Sequence, residues 1–234
     1  MSLPFFPAMM DVPIFPLPGI VLFPGSLLPL RVFEPRYVAL LRDALAGEKL
    51  IGMAQLKEAG FAAEESFDVR PAVYDVLGIG RIVAHEKLAD GTSHIALLGQ
   101  SRCRIKSERP HEPYRIANVV ALRDEMPVNS VEREQLRRAV YEVKQGALAL
   151  SLRTLDAEAQ VPLKNVLESP DAGLIADVLS GIFVHDHKLR QALLENQNVF
   201  GRIRILRELL NQMGGRAEIK APNVTIRNDE ICLN

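Results

Sequence analysis

PIFPLPGIVLFPGSLLPLRVFEPRY, residues 13–37, decides the fold of this chain. The segment from Val12 to Leu30 carries no charge, and its length would suffice to cross a bilayer. It also holds Pro13, Pro16, Pro18, Pro24 and Pro29, with Gly19 and Gly25. Each interior proline removes a helix hydrogen bond and clashes with the preceding turn, at about 3 kcal/mol or more. A membrane helix is therefore excluded. A signal sequence fits no better, because Met1 to Met10 has no Lys or Arg and no small-residue cleavage pattern follows. The stretch reads instead as two strands around a turn-rich loop. Val12 to Leu17 forms the first strand, Pro18-Gly19 and Pro24-Gly25 the turns, and Leu27 to Phe33 the second strand. Pro35 then opens a helix, with Glu34 before it and Tyr37, Leu40, Leu41 and Leu45 at helical spacing up to Gly47.

Outward from this stretch the β texture continues. Lys49 to Leu56 reads as a strand. Gly60 to Arg70 reads as a mobile acidic loop. Val73 to Leu88 is strand-like, with Gly78 and Gly80 marking a bulge or bend. Asp90-Gly91 is a hairpin turn, followed by strands over Ser93 to Ser107 and Tyr114 to Leu122. The texture changes near residue 128. Asn129 with Glu132 resembles a capping box ahead of a helix to about Leu150. Val161 to Leu167 reads as a short helix. Ser169-Pro170-Asp171 opens a further helix with a cap, a proline at the first position and an early acid. Asp186 caps a helix to Glu195, and Phe200 to Met213 carries the apolar stripe of the last one, which Gly214-Gly215 ends. The expected division is a β sub-domain over 11–125, a helical sub-domain over 126–213, and a tail over 214–234 that includes β-prone Asn223 to Arg227, a strand without an assignable partner.

Bulk composition excludes several classes. The 234 residues carry a net charge of -1, which gives no basic or acidic tail. Cys103 and Cys232 form neither a disulfide framework nor a zinc spacing and read as reduced thiols, so a cytoplasmic location is expected. Gly78-Ile79-Gly80 lacks the third glycine and the following helix of a dinucleotide fingerprint. His185-Asp186-His187 has no completing ligands, so Asp186 reads as a cap between two exposed histidines. Gly99-Gln100-Ser101 lacks nucleophile-elbow spacing. No catalytic, cofactor-binding or metal-binding residue is assigned, and no cofactor is expected.

In order along the chain, Pro13-Ile14-Phe15-Pro16-Leu17-Pro18, Phe23-Pro24-Gly25, Leu28-Pro29-Leu30 and Phe33-Glu34-Pro35-Arg36-Tyr37 lead to Gly78-Ile79-Gly80, to Leu88-Ala89-Asp90-Gly91-Thr92, and to Ser169-Pro170-Asp171 before Leu174-Ile175-Ala176-Asp177. This series resembles the amino-terminal substrate-binding domain of the Lon proteases over roughly residues 11–213. The resemblance implies an α+β fold: a six-stranded PUA-like pseudo-barrel with one helix, then a helical bundle. It also implies a non-enzymatic module. Full Lon proteases add an ATPase and a serine-lysine peptidase, whereas this sequence has no Gly-Lys pair for a phosphate loop and no room for a peptidase after the helices.

Two surfaces are expectations. Ile20, Val21, Leu22, Phe23 and Pro24 form an apolar loop that a simple hairpin could not bury entirely, and so a candidate protein-contact surface; the other reading of this loop is that it packs against the helical half. The expected partner is an unfolded or docking protein, with a separate protease or ATPase working beside it and no membrane. The alternative is RNA binding through Arg102, Arg104 and Lys106, which line one face of a strand. With balanced charge, 6% aromatic residues and no Trp, nucleic acid is the less favoured partner, and a solvated strand face is the preferred reading of that row.

Overall fold

The computed structural model describes residues 9–57 and 70–215. Among these lie six strands: β1 (Met10–Leu17), β2 (Leu27–Val32), β3 (Leu50–Gln55), β4 (Val76–Lys87), β5 (Ser93–Arg109) and β6 (Arg115–Ala121). They also hold six helices: α1 (Pro35–Ala46), α2 (Ser130–Thr154), α3 (Ala157–Leu167), α4 (Ala172–Phe183), α5 (His187–Glu195) and α6 (Val199–Gly215). The fold is mixed α/β. The expected loop before Arg70 and the expected tail strand fall outside the described residues.

β5 organises the sheet. It pairs with β4 along most of its length, with β2 through Ser93–Leu98 and with β6 through Cys103–Arg109. β6 pairs with β1, β1 runs parallel to β3, and β3 pairs with β4. Five strands thus close into a ring, β5-β4-β3-β1-β6, and β2 extends it beside the first half of β5. The ring explains why residues 13–37 lack the alternation of an ordinary amphipathic strand. β1 is apolar on both faces because both are covered. Val12 and Ile14 join Leu77, Ile79, Cys103, Ala117 and Val119 in one core cluster. Phe15 joins Tyr37, Leu40, Leu41, Ile51, Met53 and Leu97 in another.

α1 supplies the cover on that second side. Glu34 occupies its cap position and Pro35 its first turn, where a missing N–H is harmless. Phe33 and Val38 occupy the positions of a hydrophobic staple across the helix start, which accounts for two of the exposed apolar side chains. Tyr37 stacks on Phe15 with ring centroids 3.8 Å apart, and its hydroxyl donates to the Pro16 carbonyl at 3.3 Å.

The apolar loop before β2 lies across the sheet rather than off it. A Cβ on Gly78 would collide with the Leu22 carbonyl oxygen, and one on Gly99 with that of Phe23. At Gly80 a Cβ would meet the end of the Leu22 side chain, so it is Gly78 and Gly99 that face backbone. These glycines therefore let a second layer of backbone approach the strands directly. The expected irregularity is present too, as a register shift between Ile79 and Gly80.

The described residues divide into two compact units. One holds residues up to 123 together with 184–195; the other holds 124–183 and residues from 196 onward. α5 therefore belongs with the strands, not with the later helices as the sequence reading placed it. Asp186 caps α5, its Oδ1 accepting from the Leu189 N–H at 2.6 Å. Gln191 Nε2 donates to the Val76 carbonyl of β4 at 2.9 Å. The Arg190 guanidinium lies over the Phe23 ring, 6.0 Å from its centroid.

In the other unit α6 packs against α2 and α4. Asn129 caps α2 as expected, accepting from the Glu132 N–H at 2.7 Å. At α4 the cap is Asp171, which accepts from the Gly173 and Leu174 N–H groups. Ser169 instead accepts from the Asp171 N–H, one step further out. Arg202 of α6 is fully buried. It grips Asp124 with two bonds of 2.9 and 2.8 Å, lies 3.6 Å from Asp177 of α4, and donates to the Asn196 carbonyl at 3.2 Å. Gly173 is again a close-approach glycine, since a Cβ there would overlap the Asp124 carboxylate.

Candidate functional site

The loop singled out by its composition is core. Val21, Leu22, Phe23 and Pro24 are buried, Phe23 completely, and Ile20 is half-buried. The exposed reading of the loop assumed a simple hairpin; the burial supports the packed reading, with a later helix, α5, as part of the cover. The loop instead lies between the sheet and its covers, with Leu22 in the α1-side cluster and Phe23 beneath Arg190 of α5.

The basic row is also broken. Arg102 is 2% exposed, and its Nη1 donates to the Leu194 carbonyl in the last turn of α5 at 3.3 Å. A cation at a helix C-terminus complements the helix dipole. Arg104 and Lys106 remain exposed. A solvated three-cation face was expected because periodicity cannot reveal that a residue 92 positions later covers the first third of it.

Among the described residues chemically reactive groupings are few. Cys103 is buried, which pushes its thiol up to about 11 and away from the reactive thiolate. Tyr114 donates to Asp43 at 2.8 Å; desolvation, then that carboxylate, pushes its hydroxyl up to about 12. Hydrogen bonds from Arg42 and Tyr114 hold the Asp43 carboxyl below its usual value. These bonds tie α1 to the start of β6. Among the described residues no group of three His, Cys, Asp or Glu side chains could hold a metal ion. His185 is exposed and His187 half-buried.

Among the described residues an apolar face lies on the outer side of β2, β5 and β4. The register sets Leu27 opposite Leu98, which is itself opposite Arg81; Pro29 opposite Ala96 and then Ala84; and Arg31 opposite His94 and then Glu86. Their inward neighbours Ile82, Ile95 and Leu97 are buried. Leu27 is 63% exposed, and Val83, the extra residue at a second register shift, is 50% exposed. The face thus runs from apolar rows to a charged end where Arg31 meets Asp90 at 2.9 Å. Sequence reasoning missed it, although Leu27, Pro29, Ala96 and Leu98 sit at the alternate positions that face away from the core.

No described helix is long and apolar enough to cross a membrane. Comparison with known proteins agrees with the fold. Residues 11–212 match the model of the ATP-dependent protease La (LON) substrate-binding domain. The Lon protease of Anaeromyxobacter dehalogenans is 28% identical over 202 residues, 86% of this chain and 23% of that protein. That of Roseiflexus castenholzii is 32% identical over 193 residues, 82% of this chain and 23% of that protein. The chain thus spans about a quarter of the length of the curated relatives it matches. Among solved structures, the N-terminal domain of Mycobacterium avium complex Lon protease has a TM-score of 0.64 at 18% identity, covering 86% of this chain and 98% of that one. The Lon N-terminal domain protein from Xanthomonas campestris has a TM-score of 0.58 at 22% identity, covering 84% and 96%. With the family model spanning both units, the chain belongs to the Lon substrate-binding domain family.

Proposed function

We propose that the chain is a non-enzymatic protein-binding module that takes up apolar segments of unfolded polypeptide on the outer face of β2, β5 and β4. The observation that carries this reading is the pair of adjacent apolar rows, Leu27–Leu98 and Pro29–Ala96–Ala84, in which Leu27, Pro29 and Ala84 are exposed among the described residues. Burial of such surface favours binding by about 25 cal/mol per Å², before the larger part is offset by ordering of the client. The remaining finer readings go with it: a PUA-like pseudo-barrel for the strands, a bundle for the later helices, a cytoplasmic location, and a separate ATPase or protease that receives what the module holds.

The test uses Leu27→Asp and Val83→Asp, both at exposed positions. Each leaves the unfolding midpoint within error. Together they weaken binding of a reduced, carboxymethylated test protein at least tenfold, with little dependence on salt. Unchanged affinity with unchanged stability removes this face. Binding of RNA that falls steeply with salt, in the absence of any binding to unfolded protein, removes the reading altogether.

A further inference from the structure

The free edge of β2 carries more than apolar side chains. The Gly99 N–H donates to the Ser26 carbonyl at 2.8 Å, and antiparallel pairing alternates from there. Leu28, Leu30 and Val32 then turn their main-chain groups toward β5, and Leu27, Pro29 and Arg31 turn theirs away. Among the described residues nothing pairs with these outward groups: the N–H of Leu27 and Arg31 and the carbonyls of Leu27, Pro29 and Arg31. Every residue of β2 except Val32 keeps some solvent exposure, alternating between exposed and half-buried. Such an edge accepts a further strand.

Resting on the reading above, we propose that clients bind by adding a strand to β2, and that the segment selected is apolar on both of its faces. The side chains specify this. A strand laid along β2 places alternate residues beside Leu27 and Pro29 on the outer face, and the intervening ones beside half-buried Leu28 and Leu30, which adjoin the α1-side core. An amphipathic strand satisfies one side only. A segment apolar at consecutive positions is the kind buried on both faces inside a folded protein, and is exposed only when that protein has come apart. The charged end adds no preference, since Arg31 is already paired with Asp90. Pro29 sets two limits. Lacking an N–H, it leaves one carbonyl of the added strand without a donor, which keeps the pairing weak enough to release. It also disfavours a second copy as occupant, because full antiparallel overlap of two β2 edges would set Pro29 against Pro29 with no donor on either side.

The experiment uses the full chain and synthetic nine-residue peptides. The first is an unbroken run of Val, Ile and Leu with terminal lysines. The second has the same side chains but every internal amide N-methylated. The third alternates apolar residues with Ser and Thr. The first is expected to bind and to slow amide exchange of Leu27 and Arg31 at least tenfold at saturation. The second and third are expected to bind at least tenfold more weakly. Equal binding of the N-methylated peptide, or protection elsewhere than Leu27 and Arg31, overturns strand addition and leaves the apolar-face reading standing. Equal binding of the alternating peptide overturns the two-face requirement. If neither the first peptide nor the reduced, carboxymethylated protein binds, the reading beneath both fails.

Discussion

Replacing Arg202 by Met tests how the helical unit is held together. The guanidinium side chain is completely buried and is shared by two carboxylates of different exposure: Asp177 at 4% and Asp124 at 33%. Met preserves most of the apolar stem but removes the charge. Asp124 can turn to water, whereas Asp177 cannot. Removing one partner of a buried pair typically destabilises by about 3–5 kcal/mol, because the other charge is left desolvated. Asp124→Asn keeps a hydrogen-bond acceptor at a part-exposed site and should lose only about 1–2 kcal/mol. Urea unfolding followed by the helical circular dichroism signal reads this directly. With a slope of about 2 kcal/mol/M, Arg202→Met lowers the midpoint by roughly 2 M and Asp124→Asn by less than 1 M. The decisive variant is Arg202→Met with Asp177→Leu, which also removes the buried Asp177 carboxylate and fills its space. It should regain at least half of the loss. If the double variant is no more stable than the sum of its single changes predicts, the charge argument fails and Arg202 acts by packing alone.

Two further outcomes follow from burial. Phe23→Ala should cost about 3–5 kcal/mol of stability, since the ring is fully buried and lies beneath Arg190; a midpoint shift below about 0.5 M in urea contradicts the placement of the loop. Alkali should weaken the strand unit. Burial, against a smaller opposing effect of Arg36, pushes Tyr37 up to about 12. The folded state therefore holds this proton more tightly than the unfolded chain, whose tyrosines titrate near 10. The stabilisation is complete below pH 10 and is lost as pH rises toward 12, on the order of 2 to 3 kcal/mol. Tyr37→Phe should flatten this part of the stability profile; an unchanged slope refutes it.

Much of the strand order was legible in residues 13–37, because proline and glycine punctuate and the apolar runs between them are long. β2, α1, β3 and the hairpin at Asp90 fall within a few residues of their expected limits. Pro162 lies inside α3, which the sequence reading began only at Val161. What could not be read was which apolar and cationic positions are covered. Arg102 read as surface, and Phe23 stayed open between surface and core, because their cover, α5, comes from residues far along the chain. The same limit hid the open face: Leu27 and Leu98 become neighbours only through the β2–β5 register. Short-range pattern predicts elements, and burial depends on long-range pairing.

α5 completes the strand unit but is encoded after the segment 124–183. A chain growing from its N-terminus finishes β6 at Ala121, yet the Val76 carbonyl, Arg102 and Phe23 must wait for residues up to Glu195. At synthesis rates of about 5–20 residues per second this interval lasts roughly 4–15 s. Throughout it, the newborn ring carries an unsheathed apolar loop. On the ribosome the strand unit is thus an unfinished protein until its last helix arrives.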